Sequence, residues 1–302
     1  MYSFQEELFT KVDDKNINVN EPMSKHTTFR IGGIADYYIR INSNEMLQNV
    51  IGLCKTYSVP FYIVGNGSNL LVGDGGFRGV IIEIASAMNE ITCDGDIIYA
   101  QAGALLSRVA RVALDQELGG FEFAAGIPGT IGGAVVMNAG AYGGEIKDVI
   151  VSATVLDTEG IIREWTQEEL KLGYRRSAIS SEGGIVVGVK IQLAKETKET
   201  IQRKMDELKE QRVTKQPLEY PSAGSTFKRP EGYFAAKLID DTKLRGLQVG
   251  GAQVSEKHCG FVVNKGNATA ADVCFLMSQV QEKVYKEHGV KLEPEIKKIG
   301  EF

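Results

Sequence analysis

Residues 126–144 read GIPGTIGGAVVMNAGAYGG, and over the wider span Phe123–Gly144 seven of 22 residues are glycine and none is charged. Such a run has the length of a membrane span. Its glycines, Pro128 and Asn138 would make a poorly formed helix that needs packed neighbours, so a span has little support. Backbone that turns tightly, or lies against a large, flat, partly apolar ligand, is the better reading, because N–H groups stand open where side chains are missing. The candidate contacts are Gly126, Pro128, Gly129, Thr130, Gly132, Gly133 and Gly140.

Toward the N-terminus a second loop, Gly65-Asn66-Gly67-Ser68-Asn69, follows the apolar run Phe61–Val64. Small residues and exposed N–H groups after a strand can cradle a pyrophosphate, although a tight connection between strands is the plainer reading of this loop alone. It is neither a G-x-G-x-x-G opening a helix nor a Walker A loop, since no Lys-Ser/Thr follows. Two glycine segments in one domain together suggest a dinucleotide held without a Rossmann fold.

The flanking pattern is mixed α and β. Met46, Leu47, Val50, Ile51, Cys54 and Tyr57 recur at helical spacing from Ser43 to before Pro60, and β-branched runs predict strands near 80–84, 97–101, 149–156 and 185–193. The spacing from Ser107 to Leu118 predicts a helix stopped by Gly119. A charged stretch, Glu196–Val213, has only Ile201, Met205 and Leu208 on its apolar stripe, which predicts a one-sided surface helix and a domain boundary. Beyond Lys215 come a Gly/Ser loop at 222–226, a helix from Tyr233 to about Thr242, a strand at 261–263, and a long helix opened by Thr269 with Asp272 in capping-box spacing and stopped by Gly289.

At 302 residues the chain suits about two domains. With 34 basic and 39 acidic residues the net charge is −5, which gives no overall drive toward a phosphate backbone, so nucleic acid is not expected as a partner. The N-terminal residues carry acids and no leader-like apolar run, which predicts a cytoplasmic protein. Four cysteines without a C-x-x-C pair read as reduced thiols, and three histidines without a ligand cluster predict no metal site.

Three further segments could carry chemistry. Tyr174-Arg175-Arg176-Ser177 sets two guanidinium groups beside a tyrosine; two cations in a row are usually solvated, but one held in a buried site could clamp a carboxylate. Ser225, in PSAGSTFKRP, lies in an anion-binding turn or simply a loop, with no His and Asp arrangement of a hydrolase. Glu293-Pro294-Glu295 reads by itself as a solvated acidic turn.

Taken together, HTTFRIGG, YIVGNGSNLLV, GIPGTIGGAVVMNAGAYG, LGYRRS, PSAGSTFKRP, LIDDTKLRGLQVGGAQVSEKHCGFVVNKGNATAADV and LEPEIKKIG resemble, in order and from about His26 to the end, the UDP-N-acetylenolpyruvoylglucosamine reductase (UDP-N-acetylmuramate dehydrogenase) family. The resemblance implies an α+β fold: an FAD-binding domain of the vanillyl-alcohol-oxidase (PCMH) type at 1–213, built of two subdomains, and a substrate-binding domain at 214–289. The tail 290–302 is expected to pack back near the active site. It further implies NADPH-dependent reduction of UDP-N-acetylglucosamine enolpyruvate in peptidoglycan precursor synthesis, by a monomer. Ser225 falls at the family's proton donor, and Arg175 and Glu295 at the groups that polarise the enolpyruvyl carboxylate. Tyr174, Lys215, Arg229, Lys257 and His258 fall at substrate-binding positions, though Arg229 and His258 depart from the family's usual asparagine and glutamine. Only 50 positions separate Arg175 from Ser225, as in the shorter type of the family that lacks a tyrosine lid. Neither glycine loop contains His or Cys, so the flavin is expected to be noncovalent.

Overall fold

The computed structural model describes residues 3–85 and 87–302; Met1 and Tyr2, the start of the segment read as free of a leader, lie outside the described residues. The chain forms two compact units that do not follow chain order. The first comprises residues up to Asn18, Tyr38–Asn66 and Val80–Arg212; the second comprises Val19–Tyr37, Gly67–Gly79 and Val213–Phe302.

In the first unit, helix Asn44–Thr56 is capped by the Ser43 hydroxyl, which accepts the Met46 N–H, and buries Met46, Leu47, Val50, Ile51, Leu53 and Cys54. These are the residues that share one face at 3.6 per turn. Pro60 follows, and strand Phe61–Val64 runs parallel to the neighbouring strand, from Phe61 opposite Val80 to Val64 opposite Glu83. Val80, Ile81 and Ile82 are fully buried, so this pairing carries the chain straight out of the core into the 65–69 loop.

A five-stranded antiparallel sheet completes the unit, in the order Ile162–Thr166, Ile150–Leu156, Ile185–Gln192, Ile97–Gln101, Ile91–Asp94. The short helix Ile131–Val136, which interrupts the glycine-rich segment, packs on its central strands. Helix Leu106–Asp115 ends earlier than its spacing predicts. Glu117 turns left-handed at φ +57 and Leu118–Gly119 pairs with Ala194–Lys195. Gly119 is therefore not the helix stop: a Cβ there would come within 2.9 Å of the Glu196 Cβ, and the glycine permits that approach.

The charged surface helix runs Lys198–Lys215, two residues past the expected end; of its apolar stripe only Ile201 is fully buried.

The second unit is built on helix Ala270–His288. Thr269 and Asp272 form the expected capping box, and Gly289 closes the helix at φ +68. Asp74 accepts the N–H groups of Ala270 and Ala271 at 2.8 and 2.9 Å, adding negative charge where the helix dipole favours it. Helix Ala235–Asp241, which starts two residues later than expected because Phe234 is extended at its N-cap, and the three-stranded sheet Gln248–Val249, Ala252–Val254, Val262–Asn264 share its core. Phe29, Ile31 and Leu71 belong to that same core, together with Leu292 and Ile296. The tail contains a strand, Lys297–Ile299, parallel to Leu70–Val72.

Candidate active site

The two glycine loops touch within the first unit. Asn66 donates its Nδ2 to the Pro128 carbonyl at 2.8 Å, and a Cβ on Gly65 would fall 2.3 Å from Thr130 Oγ1. Among the described residues, the backbone N–H groups of Gly65, Asn66, Gly67 and Ser68 have no hydrogen-bond partner, nor have those of Gly126 and Thr130. The four of these in the first unit, on Gly65, Asn66, Gly126 and Thr130, with no acidic side chain among them, suit the diphosphate of a dinucleotide.

Other amides in the second loop are already used. Gly129 donates to Ile127, Gly132 to Ala102, and Gly133 to the Thr130 hydroxyl that caps the short helix. Gly132 owes its place to packing, since a Cβ there would lie 2.7 Å from that of Ala102. Gly67, in the second unit, adopts φ +59, and a Cβ would meet the His26 carbonyl oxygen at 2.0 Å. The absent side chain is thus required by the protein's own backbone rather than by a ligand's approach.

Arg212 was not marked by the sequence. Its aliphatic Cδ packs 3.1 Å from where a Gly126 Cβ would be; the guanidinium is half-buried and makes no hydrogen bond or ion pair among the described residues. Burial lowers its pKa. A single arginine in a highly charged helix offers no local signal of this.

Tyr174 and Arg175 form the tip of a two-residue turn, closed by reciprocal backbone bonds between Gly173 and Arg176 at 3.1 Å. Arg175 takes φ +53, and its guanidinium donates to the Gly140 carbonyl at 3.3 Å while lying 5.1 Å from the Tyr174 ring centroid. Arg175 is half-buried and Arg176 exposed.

Ser225 and Glu295 both belong to the second unit. Ser225 is exposed, with no hydrogen bond among the described residues, while its successor Thr226 is fixed on three sides. Thr226 donates its N–H to Gly260, accepts the Val262 N–H at its hydroxyl, and accepts the Glu295 N–H at its carbonyl, each at 2.8 Å. Glu295 is 9 % exposed. Of the acidic turn only Glu295 is buried; Glu293 and Pro294 stay exposed, as a solvated turn would. Asn69 donates to the Glu295 carbonyl at 3.2 Å, so this member of the first glycine loop also anchors the acid.

The remaining cations are scattered through the second unit. Lys215 is exposed at the end of its helix, Lys257 donates to the Val213 carbonyl at 2.7 Å, and Arg229 stacks on Phe234 at 4.6 Å. His258 accepts the Gly260 N–H at Nδ1, and burial is the main cause that pulls its pKa below the ordinary value. A separate cavity of about 310 Å³ opens on the five-stranded sheet beside Thr92, Tyr99, Thr154, Glu164 and Lys190; none of the candidate residues lines it. Among the described residues no cluster could hold a metal ion, and no helix is long and apolar enough to cross a membrane.

Residues 35–166 match the family of FAD binding domains, and residues 216–299 match the C-terminal domain of UDP-N-acetylenolpyruvoylglucosamine reductase. The chain is 56 % identical over 295 residues to the UDP-N-acetylenolpyruvoylglucosamine reductase of Agathobacter rectalis, covering 94 % of each. It resembles the crystal structure of UDP-N-acetylenolpyruvylglucosamine reductase from Thermus caldophilus with a TM-score of 0.81 and 36 % identity, over 93 % of this chain and 99 % of that one. A variant of berberine bridge enzyme, a reticuline dehydrogenase, shares the fold over 65 % of this chain and 44 % of its own, with a TM-score of 0.51 and 18 % identity. The fold and these matches define an FAD-dependent oxidoreductase whose flavin domain is of the vanillyl-alcohol-oxidase type. Within that class the chain belongs to the UDP-N-acetylenolpyruvoylglucosamine reductase family.

Proposed function

We propose that the protein reduces UDP-N-acetylglucosamine enolpyruvate to UDP-N-acetylmuramate at the expense of NADPH, a step of peptidoglycan precursor synthesis. The observation that supports this reading is the backbone bond from the buried Glu295 to Thr226, the residue that follows an exposed serine with no hydrogen bond among the described residues. A hydrolase would need a base against that serine; a reductase that protonates a carbanion needs only a positioned donor.

The loops Gly65–Asn69 and Gly126–Gly133 would hold FAD noncovalently, and FAD would there supply hydride transfer from NADPH to the methylene carbon of the enolpyruvyl group. Ser225 then delivers a proton to the neighbouring carbon. Serine is a weak acid, so it serves only a strongly basic acceptor held in line. Arg175, with a planar two-donor fork, and Glu295, kept from water by burial, polarise the carboxylate on which negative charge builds. Lys215, Arg229 and Lys257 face the diphosphate of the nucleotide sugar, with Tyr174 and His258 as further contacts. In this reading 1–213 hold the flavin, 214–289 the nucleotide, and the tail 290–302 supplies Glu295; the chain works as a cytoplasmic monomer.

The test is anaerobic. NADPH should bleach the flavin absorbance of the purified protein, and UDP-N-acetylglucosamine enolpyruvate should restore it with one equivalent of UDP-N-acetylmuramate formed. Bleaching that the nucleotide fails to reverse would assign the chain another electron acceptor.

A further inference from the structure

The side chain of Asn138 is completely buried and its backbone is left-handed, φ +44. Its Nδ2 donates to two acceptors, the Gly173 carbonyl at 3.0 Å and Glu145 Oε2 at 3.1 Å, and its Oδ1 accepts the Lys147 N–H at 2.9 Å. Each acceptor leads to Arg175. Gly173 is the base of the turn from which Arg175 projects, and its carbonyl also closes that turn by accepting the Arg176 N–H. Glu145 pairs with Gly140 in the small hairpin whose Gly140 carbonyl receives the Arg175 guanidinium. One buried amide therefore ties down both the backbone that carries the arginine and the strand on which its charge rests.

We infer that Asn138 is the positioning residue of Arg175, holding the guanidinium in the orientation that receives a carboxylate. This rests on Arg175 acting in the carboxylate clamp of the proposed reaction. The surrounding charges agree with an arrangement of fixed polarity. Burial opposes ionisation of Glu145, but Lys147, the Asn138 amide and Arg175 outweigh it and hold the carboxyl below its ordinary range. The groups facing Asn138 are thus an anion and two backbone groups, and only a neutral amide can donate to both acceptors while accepting from the third. Aspartate at this position would lose the donors and set a second carboxylate against Glu145.

Asn138→Gly isolates the side chain, because glycine keeps the left-handed backbone without strain. In the flavin-loaded protein, flavin content and reduction by NADPH should stay within about twofold. Equilibrium binding of UDP-N-acetylmuramate to the oxidised protein should weaken, and reoxidation by the enolpyruvyl nucleotide slow, by about ten- to a hundredfold, the range of one charge-assisted interaction lost or misplaced. Arg175→Ala should produce the same pattern, and the double variant should be little worse than Arg175→Ala alone. Multiplying losses in the double variant, or equal damage to both half-reactions, would reduce Asn138 to a structural residue and overturn the inference. Normal binding and reoxidation in Arg175→Ala would instead overturn the clamp on which it rests. Should Asn138→Gly fail to retain flavin, Asn138→Asp, of the same size, carries the same comparison; normal reoxidation there also overturns it.

Discussion

Asn69 donates its side-chain amide to the carbonyl of Glu295 at 3.2 Å and accepts the Lys297 N–H on its own carbonyl at 2.9 Å, so a residue of the first glycine loop clasps the chain's last acidic turn across more than two hundred positions. Asn69→Ala should cost about 1–2 kcal/mol in urea unfolding, the usual range for a half-buried hydrogen bond lost with its acceptor left behind. Flavin content should survive while reoxidation by the enolpyruvyl nucleotide slows. Unchanged stability would show that the strand pairing alone holds the tail.

Gly67→Ala should be far more damaging than Gly133→Ala. The first adds a Cβ 2.0 Å from the His26 carbonyl oxygen at φ +59, whereas the second meets only Thr130 Oγ1, at an ordinary 3.4 Å. Left-handed backbone alone costs a non-glycine residue about 1–2 kcal/mol. Gly67→Ala should therefore purify flavin-poor with a lowered melting temperature, and Gly133→Ala flavin-loaded. Equal flavin retention in both would contradict the close approach of residues 26 and 67.

Arg175→Lys keeps the charge and loses the planar fork. The expected defect lies in reoxidation by the nucleotide, with NADPH reduction nearly unaffected. Equal slowing of both halves would place Arg175 in flavin positioning instead.

Ser225→Ala removes a hydroxyl that makes no hydrogen bond among the described residues, so stability should scarcely change. Flavin reduction should remain near normal, and reoxidation should slow by about two to four orders of magnitude, the typical share of a positioned general acid. Ser225→Cys should recover part of the loss, a thiol being the stronger acid at about 8.5. Near-normal reoxidation in the alanine variant would hand proton delivery to another group.

The His258 pKa is lowered in the folded state, chiefly by burial, with the Arg245 charge in the same direction and a backbone hydrogen bond against it. The unfolded chain then binds the extra proton first, so the stability this residue supplies is present above about pH 6.5 and is lost as pH falls toward the folded value. His258→Gln should flatten the pH dependence of urea unfolding between about pH 7.5 and 5.5. An unchanged slope would mean that other groups govern it.

Features set by neighbours in the chain were legible before any fold was known. Ser43, the Thr269–Asp272 box and Gly289 mark helix ends because a cap bonds to a backbone group only a few residues away, and the burial of 46, 47, 50, 51 and 54 is written in their spacing, whereas Leu53, absent from the predicted stripe, is buried and Tyr57, part of it, is only half-buried. The strands at 61–64, 150–156 and 185–192 are legible for the same reason, and the motif set pointed to the family. Tertiary structure alone decided which segments share a core. Residues 70–72 pair with 297–299, and Phe29 and Leu71 join Leu276 and Ile296, because burying those apolar surfaces together removes them from water, an energy that depends on contact in space and leaves no periodic trace in either segment. The same holds for the site. The sequence displayed Gly67, Asn69 and Asn138 as small or polar residues in glycine-rich stretches; what each one does depends on the His26 carbonyl, the Glu295 carbonyl and the Gly173 turn that the folded backbone brings against it.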